Sequence, residues 1–95
     1  MQAIELMNAL EQPTRLDVWR RLVDQLPDGL TAGDIAKAVD MSKTAMSPHF
    51  AILSATGLLS SRKIDRTVIY KAETAAADRL RTFLTGACAR ETPAD

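Results

Sequence analysis

Residues 31 to 70 constrain the fold more than any other part of the chain. Two short helical patterns lie one tight turn apart, and a basic hairpin pattern follows at once. The first helix opens at Thr31, with Asp34 three residues on, as in a capping box. The second opens at Ser42. The hairpin runs from Leu58 to Lys71, with Arg62, Lys63 and Arg66 towards its tip. Helix, turn, helix and hairpin in this order are the layout of a winged helix-turn-helix. That fold places one helix in the major groove of DNA and a β-hairpin beside it.

The rest of the chain fits around this unit. Residues 2–11 read as a helix with Ile4, Met7 and Leu10 on one side. Pro13 opens a second helix as its first residue, with Leu16, Trp19, Leu22, Val23 and Leu26 as its stripe. Pro27, Asp28 and Gly29 stop it. The next helix spans about 32–39 and buries Ile35, Ala36 and Val39, with Asp40 as the left-handed turn residue. Met41 and Met46 have the spacing of a hydrophobic staple around the Ser42 cap. Met46, Phe50 and Leu53 form the inner stripe of the second motif helix, and Gly57 caps its end. Pro48 lies inside this helix. Either the helix runs on with a local distortion, which is the reading preferred, or it restarts with Ser47 as cap. The hairpin tip, Ile64-Asp65-Arg66, lacks glycine and leaves the turn type open. Residues 74–88 form the last helix, with Leu80, Phe83, Leu84, Ala87 and Cys88 as its apolar stripe. The fold class expected is mainly α with a small β-hairpin (α+β), about five helices plus a two-stranded wing. One domain spans 1–90, and residues 91–95 are expected to fray.

Composition bounds the function. The 95 residues make one small domain with net charge zero. The charge is unevenly spread, however. Residues 1–40 carry −3, whereas residues 41–71 carry +4 from Lys43, Arg62, Lys63, Arg66 and Lys71 against Asp65. The positive field therefore lies on the segment the motif would place on DNA. No apolar run reaches membrane-spanning length, and the N-terminus does not read as a signal peptide. The chain is read as cytoplasmic, and the single cysteine fits that compartment.

The second motif helix offers Ser42, Lys43, Thr44, Ala45, Ser47 and His49 to a duplex. Small hydroxyl-bearing side chains approach base edges closely, Ala45 suits a thymine methyl, and Lys43 suits a guanine edge or a phosphate. His49 is either a phosphate donor or a histidine packed beside the core. Arg62, Lys63 and Arg66 suit phosphates or a minor groove. Ile4, Met7 and Leu10, with Leu80, Phe83 and Leu84, form faces that a second copy could cover, although both could also be core. Cys88 reads either as an inert small hydrophobe or as a thiol sensor. There is no Gly-rich phosphate loop, no placed carboxylate pair and no histidine near Cys88 in sequence, so an enzyme is not expected.

The ordered set Ala9-Leu10-Glu11-Gln12-Pro13-Thr14-Arg15, Leu30-Thr31-Ala32-Gly33-Asp34-Ile35-Ala36, Met41-Ser42, Ser47-Pro48-His49-Phe50-Ala51-Ile52-Leu53, Gly57-Leu58-Leu59 and Arg66-Thr67-Val68-Ile69-Tyr70 resembles the ArsR (arsenic repressor, SmtB-like) family. The resemblance covers residues 2 to about 88. It implies a homodimeric repressor of a double-stranded DNA operator, released by a metal, metalloid or redox signal. The sensing motifs differ. The family's Cys-x-Cys-Asp pattern is here Thr31-Ala32-Gly33-Asp34. The last helix offers Asp78 but no histidine, and Cys88 is followed by Ala89. One thiolate cannot complete a three- or four-ligand site within a chain, so no metal site and no cofactor are expected. The other readings are a winged-helix module for protein contacts without DNA binding, a thiol-based redox regulator acting through Cys88, and an enzyme with Cys88 as nucleophile.

Overall fold

The structure, a computed structural model, describes residues 2–91, with side chains as far as Cys88. Five helices surround a small antiparallel sheet: α1 Gln2–Glu11, α2 Pro13–Asp24, β1 Leu30–Thr31, α3 Ala32–Ala38, α4 Lys43–Ala55, β2 Leu59–Ile64, β3 Thr67–Ala72 and α5 Thr74–Glu91. The sheet order is β1-β3-β2. It therefore has three strands, one more than the two-stranded wing expected. β1 is only two residues long and pairs Leu30 with Tyr70 and Thr31 with Ile69. So short a strand carries no alternation that sequence could reveal.

Local chemistry sets most boundaries. Gln12 caps α2 through Oε1, which accepts from the Arg15 N–H at 2.8 Å. Pro13 then opens the helix, where its missing N–H costs nothing. Thr31 Oγ1 accepts from the Asp34 N–H and Ser42 Oγ from the Ala45 N–H, both at 3.0 Å, capping α3 and α4. Both helices end alike. Asp40 at φ +58° and Gly57 at φ +79° take the left-handed position. The two residues after each C-cap then donate back, Asp40 to Lys37 and Met41 to Ala36, Gly57 to Ser54 and Leu58 to Leu53. α4 runs unbroken through Pro48, so the restart at Ser47 does not occur. The hairpin is displaced by one residue from the expected span, and Asp65 at φ +57° takes the strained position of its two-residue turn. α5 extends to Glu91, three residues beyond the expected end. The fraying expected of residues 92–95 lies outside the described residues.

The core corrects the stripe of α2 and leaves Ile4 and Met7, on the α1 face named above, outside it. In α1 the buried residues are Ala3, Leu6 and Ala9. Ile4 is 52% exposed and Met7 39%, while Leu10 is half-buried. Both triplets recur at helical spacing. The face with small alanines lies inward because it lets α1 settle closely on α2 and α5. In α2, Val18 and Leu22 are fully buried, with Trp19 and Leu26 packed beside them. Leu16 and Val23 are exposed. Ile35, Met46, Leu53 and Leu58 complete the centre, and none of them is accessible to solvent. Gly29 is required by close approach: a Cβ there would lie 2.2 Å from the Tyr70 carbonyl oxygen on β3.

Candidate nucleic-acid interface

α4 is amphipathic in the sense a recognition helix needs. Met46, Phe50 and Leu53 face the core, and Ser42, Lys43, Thr44, Ala45, Ser47 and Pro48 are exposed. The Ser42 cap fixes the first turn, which carries Lys43, Thr44 and Ala45. The wing is fixed to this helix by a ring contact. Phe50 of α4 and Tyr70 of β3 stack with centroids 4.2 Å apart and planes 16° from parallel. Partial burial raises the Tyr70 pKa above its ordinary value of 10.0. The two rings are distant in sequence, and no local signal pairs them.

The basic side chains divide into two groups. Lys43 and Arg66 line one open cleft together with Thr31, Ala32, Gly33 and Asp34 of the β1–α3 junction and Thr67 and Val68 of β3. The N-terminal end of α4 and the wing tip thus converge. In the sheet register Arg62 pairs with Ile69 and Lys63 with Val68. Successive residues point to opposite faces of a strand, so Arg62 and Lys63 cannot serve one phosphate together. Arg62 lines a separate groove on the other face with Pro27, Gly29, Ile69, Lys71 and Glu73. The three wing cations read from sequence as one cluster are therefore split.

His49 is half-buried at the edge of the α4 core face. Its Nδ1 lies 3.4 Å from Arg15 Nη1. The contact spans 34 residues, which is why it could not be read from the sequence. At the far end of the molecule, Leu84 is 46% exposed, Leu80 and Phe83 are half-buried, and a Cβ at Gly86 would meet no atom within 4 Å. Cys88, expected on the apolar stripe of the last helix, is exposed within the single chain because the second half of α5 projects beyond the core. Among the described residues no cluster of three or more His, Cys, Asp or Glu side chains could hold a metal ion. No helix among them is long and apolar enough to cross a membrane.

A helix-turn-helix domain model matches residues 10–62. The transcriptional repressor SdpR of Bacillus subtilis (strain 168) is 33% identical over 70 residues, which are 73% of this chain and 73% of that protein. An ArsR-like transcriptional regulator from Rhodococcus sp. RHA1 superposes with a TM-score of 0.80 at 25% identity, covering 94% of this chain and 81% of that one. The chain belongs to the ArsR-type family of winged helix-turn-helix transcriptional regulators. Two further comparisons follow. The transcriptional activator HlyU of Vibrio cholerae serotype O1 (strain ATCC 39315 / El Tor Inaba N16961) is 32% identical over 69 residues, 73% of this chain, and the match spans only 61% of the activator. A homodimeric winged helix-turn-helix DNA-binding domain from Mycobacterium bovis, solved by solution NMR, shares the fold with a TM-score of 0.72 at 22% identity, covering 90% of this chain and 78% of that one. The relatives are transcription regulators and not enzymes.

Proposed function

We propose that this ArsR-type protein is a homodimeric, sequence-specific DNA-binding repressor acting in the cytoplasm. The observation that carries the reading is the convergence of Lys43 and Arg66 on one cleft beside the exposed face of α4, within a segment of charge +4. With α4 in the major groove, Thr44, Ala45 and Ser47 meet base edges, and Lys43 and Arg66 meet the phosphates on either side. Arg62, on the opposite face of the wing, reaches a different part of the backbone from Lys63.

The dimer is supported by surface left over in one chain. Ile4, Met7 and Leu84 are exposed, with Phe83 half-buried beside Leu84 in sequence. The radius of gyration is 15.2 Å, against about 12 Å for a compact domain of this length. A second copy would cover the projecting half of α5 and set two α4 helices about 34 Å apart, one per turn of duplex. The mycobacterial neighbour is homodimeric, and the curated relatives are named one activator and one repressor. Repression follows if the bound dimer excludes polymerase from its promoter, and SdpR is named a transcriptional repressor. Cys88 does not form a metal site alone, and Cys88→Ser is expected to leave repression unchanged.

The test is a titration of duplex selected from random sequence, with fluorescence anisotropy at several salt concentrations. Binding that weakens steeply with salt, and a selected two-fold symmetric site, are expected. No duplex binding by a folded dimer would favour the protein-contact module instead.

A further inference from the structure

The Arg15 guanidinium touches two other elements at once. Nε donates to the Ala9 carbonyl at 2.7 Å and Nη2 to the Asn8 carbonyl at 3.2 Å, covering two carbonyls of the last turn of α1. Nη1 reaches His49 Nδ1 on α4 at 3.4 Å. A guanidinium has donors only, so Nδ1 accepts and the ring proton sits on Nε2. Nε2 itself has no protein partner, and no partly or fully buried residue described holds an occluded side-chain nitrogen or oxygen without one. Nε2 therefore reaches solvent.

The position of His49 decides what it can meet there. It lies one helical turn after the exposed Ala45, on the same flank of α4, at the border between buried and exposed sides. A residue at that border faces the wall of a groove, where the phosphates are, and not the floor, where the base edges are. The Arg15 charge behind the ring polarises it and strengthens Nε2–H as a donor. We propose that Arg15 is a positioning residue that holds His49 as its Nε2–H tautomer, so that Nε2–H donates to a backbone phosphate of bound DNA. This rests on the DNA-binding reading above and adds a contact and its support to it.

His49 is the only histidine, so its ring gives the only imidazole signals in proton–nitrogen correlation spectra of isotope-labelled protein. In the neutral ring the free protein should show a protonated Nε2 and a bare Nδ1. A mixed-sequence duplex of about 30 base pairs, three helical turns, should shift the Nε2 proton downfield and slow its exchange. R15K keeps the charge but not the planar fork. It should give a mixture of tautomers and weaken duplex binding by about threefold to tenfold. H49A should weaken binding about tenfold. H49Q, whose amide nitrogen stands near Nε2, should recover most of that, and H49N, whose amide reaches only as far as Nδ1, should not.

A free protein with the proton on Nδ1 overturns the proposal. So does an Nε2 signal unmoved by duplex that is demonstrably bound, or H49A binding as tightly as the wild type. Wild-type protein that binds no duplex overturns the DNA-binding reading and the phosphate contact with it, while the free-protein tautomer still measures the role of Arg15. A variant that fails to fold is set aside, and the wild-type spectra then decide.

Discussion

Residues 30 to 72 and the flank formed by α1 and α5 treat their large apolar side chains differently. In the first region Ile35, Met46, Leu53 and Leu58 are fully buried, Phe50 stacks on Tyr70, and both motif helices are capped at each end. Its two exposed large hydrophobics, Ile52 and Ile64, stand singly, one on α4 and one at the end of β2. In the flank, Ile4, Met7 and Leu84 are exposed and Gly86 faces open space. Single exposed hydrophobics are ordinary, whereas several on two helices that pack together fit the dimer surface proposed above. The DNA-facing region needs nothing outside its own chain to take its shape. On the dimer proposed above, the flank is the part that a second molecule would cover.

The largest effect expected is in the first region. Phe50→Ala removes a ring from the core and should lower unfolding free energy by about 3–5 kcal/mol, seen as a lower denaturation midpoint whatever the protein concentration. Ile4→Glu with Leu84→Glu tests the other side of the comparison. Each copy loses two side chains worth about 1.5–3 kcal/mol apiece when fully buried, so dimer dissociation should strengthen by at least about a hundredfold. The monomers should remain folded by circular dichroism, because these positions are already exposed. Wild-type protein sedimenting as a single chain at micromolar concentration would break the comparison outright.

Smaller effects separate the charges. Lys43→Ala with Arg66→Ala should leave the dimer intact and reduce the slope of log affinity against log salt by about two units. Arg62→Ala alone should reduce it by at most about one. Equal losses from Arg62 and Arg66 that are strictly non-additive would indicate that the register split between them does not matter. The smallest effect concerns Tyr70. Its folded pKa lies above the ordinary 10.0, so the folded chain keeps the proton longer than the unfolded one. That stability is fully present below about pH 10 and declines as pH rises further. Tyr70→Phe should melt with a flatter alkaline decline.

What sequence revealed follows the range of the interaction. The Thr31, Ser42, Asp40 and Gly57 caps were legible because each depends on a side chain and backbone three or fewer residues away, or on one permitted φ. The winged architecture was legible because the period changes from helical to alternating at Leu58. The face of α1 was not, since Ile4-Met7-Leu10 and Ala3-Leu6-Ala9 share one spacing and only packing against α2 and α5 chooses between them. The stack of Phe50 on Tyr70 and the Arg15–His49 contact join distant residues, and no local pattern encodes them. The wing cations were individually legible, but their division between two faces required the strand register.

The two-residue strand β1 carries a consequence beyond its size. Thr31 ends that strand, caps α3 and lines the cleft shared by Lys43 and Arg66. β3 is therefore bonded along both edges at its base, to β1 on one side and β2 on the other, and only the ribbon beyond Ile69 projects freely. The stem cannot slide relative to the helices it accompanies. A duplex held between α4 and the wing meets a caliper with a set opening. DNA whose groove width and backbone spacing already match that opening is bound without deformation, and stiffer or mismatched sequence must be bent to fit. On the DNA-binding reading proposed above, discrimination would then extend to base pairs that no side chain touches.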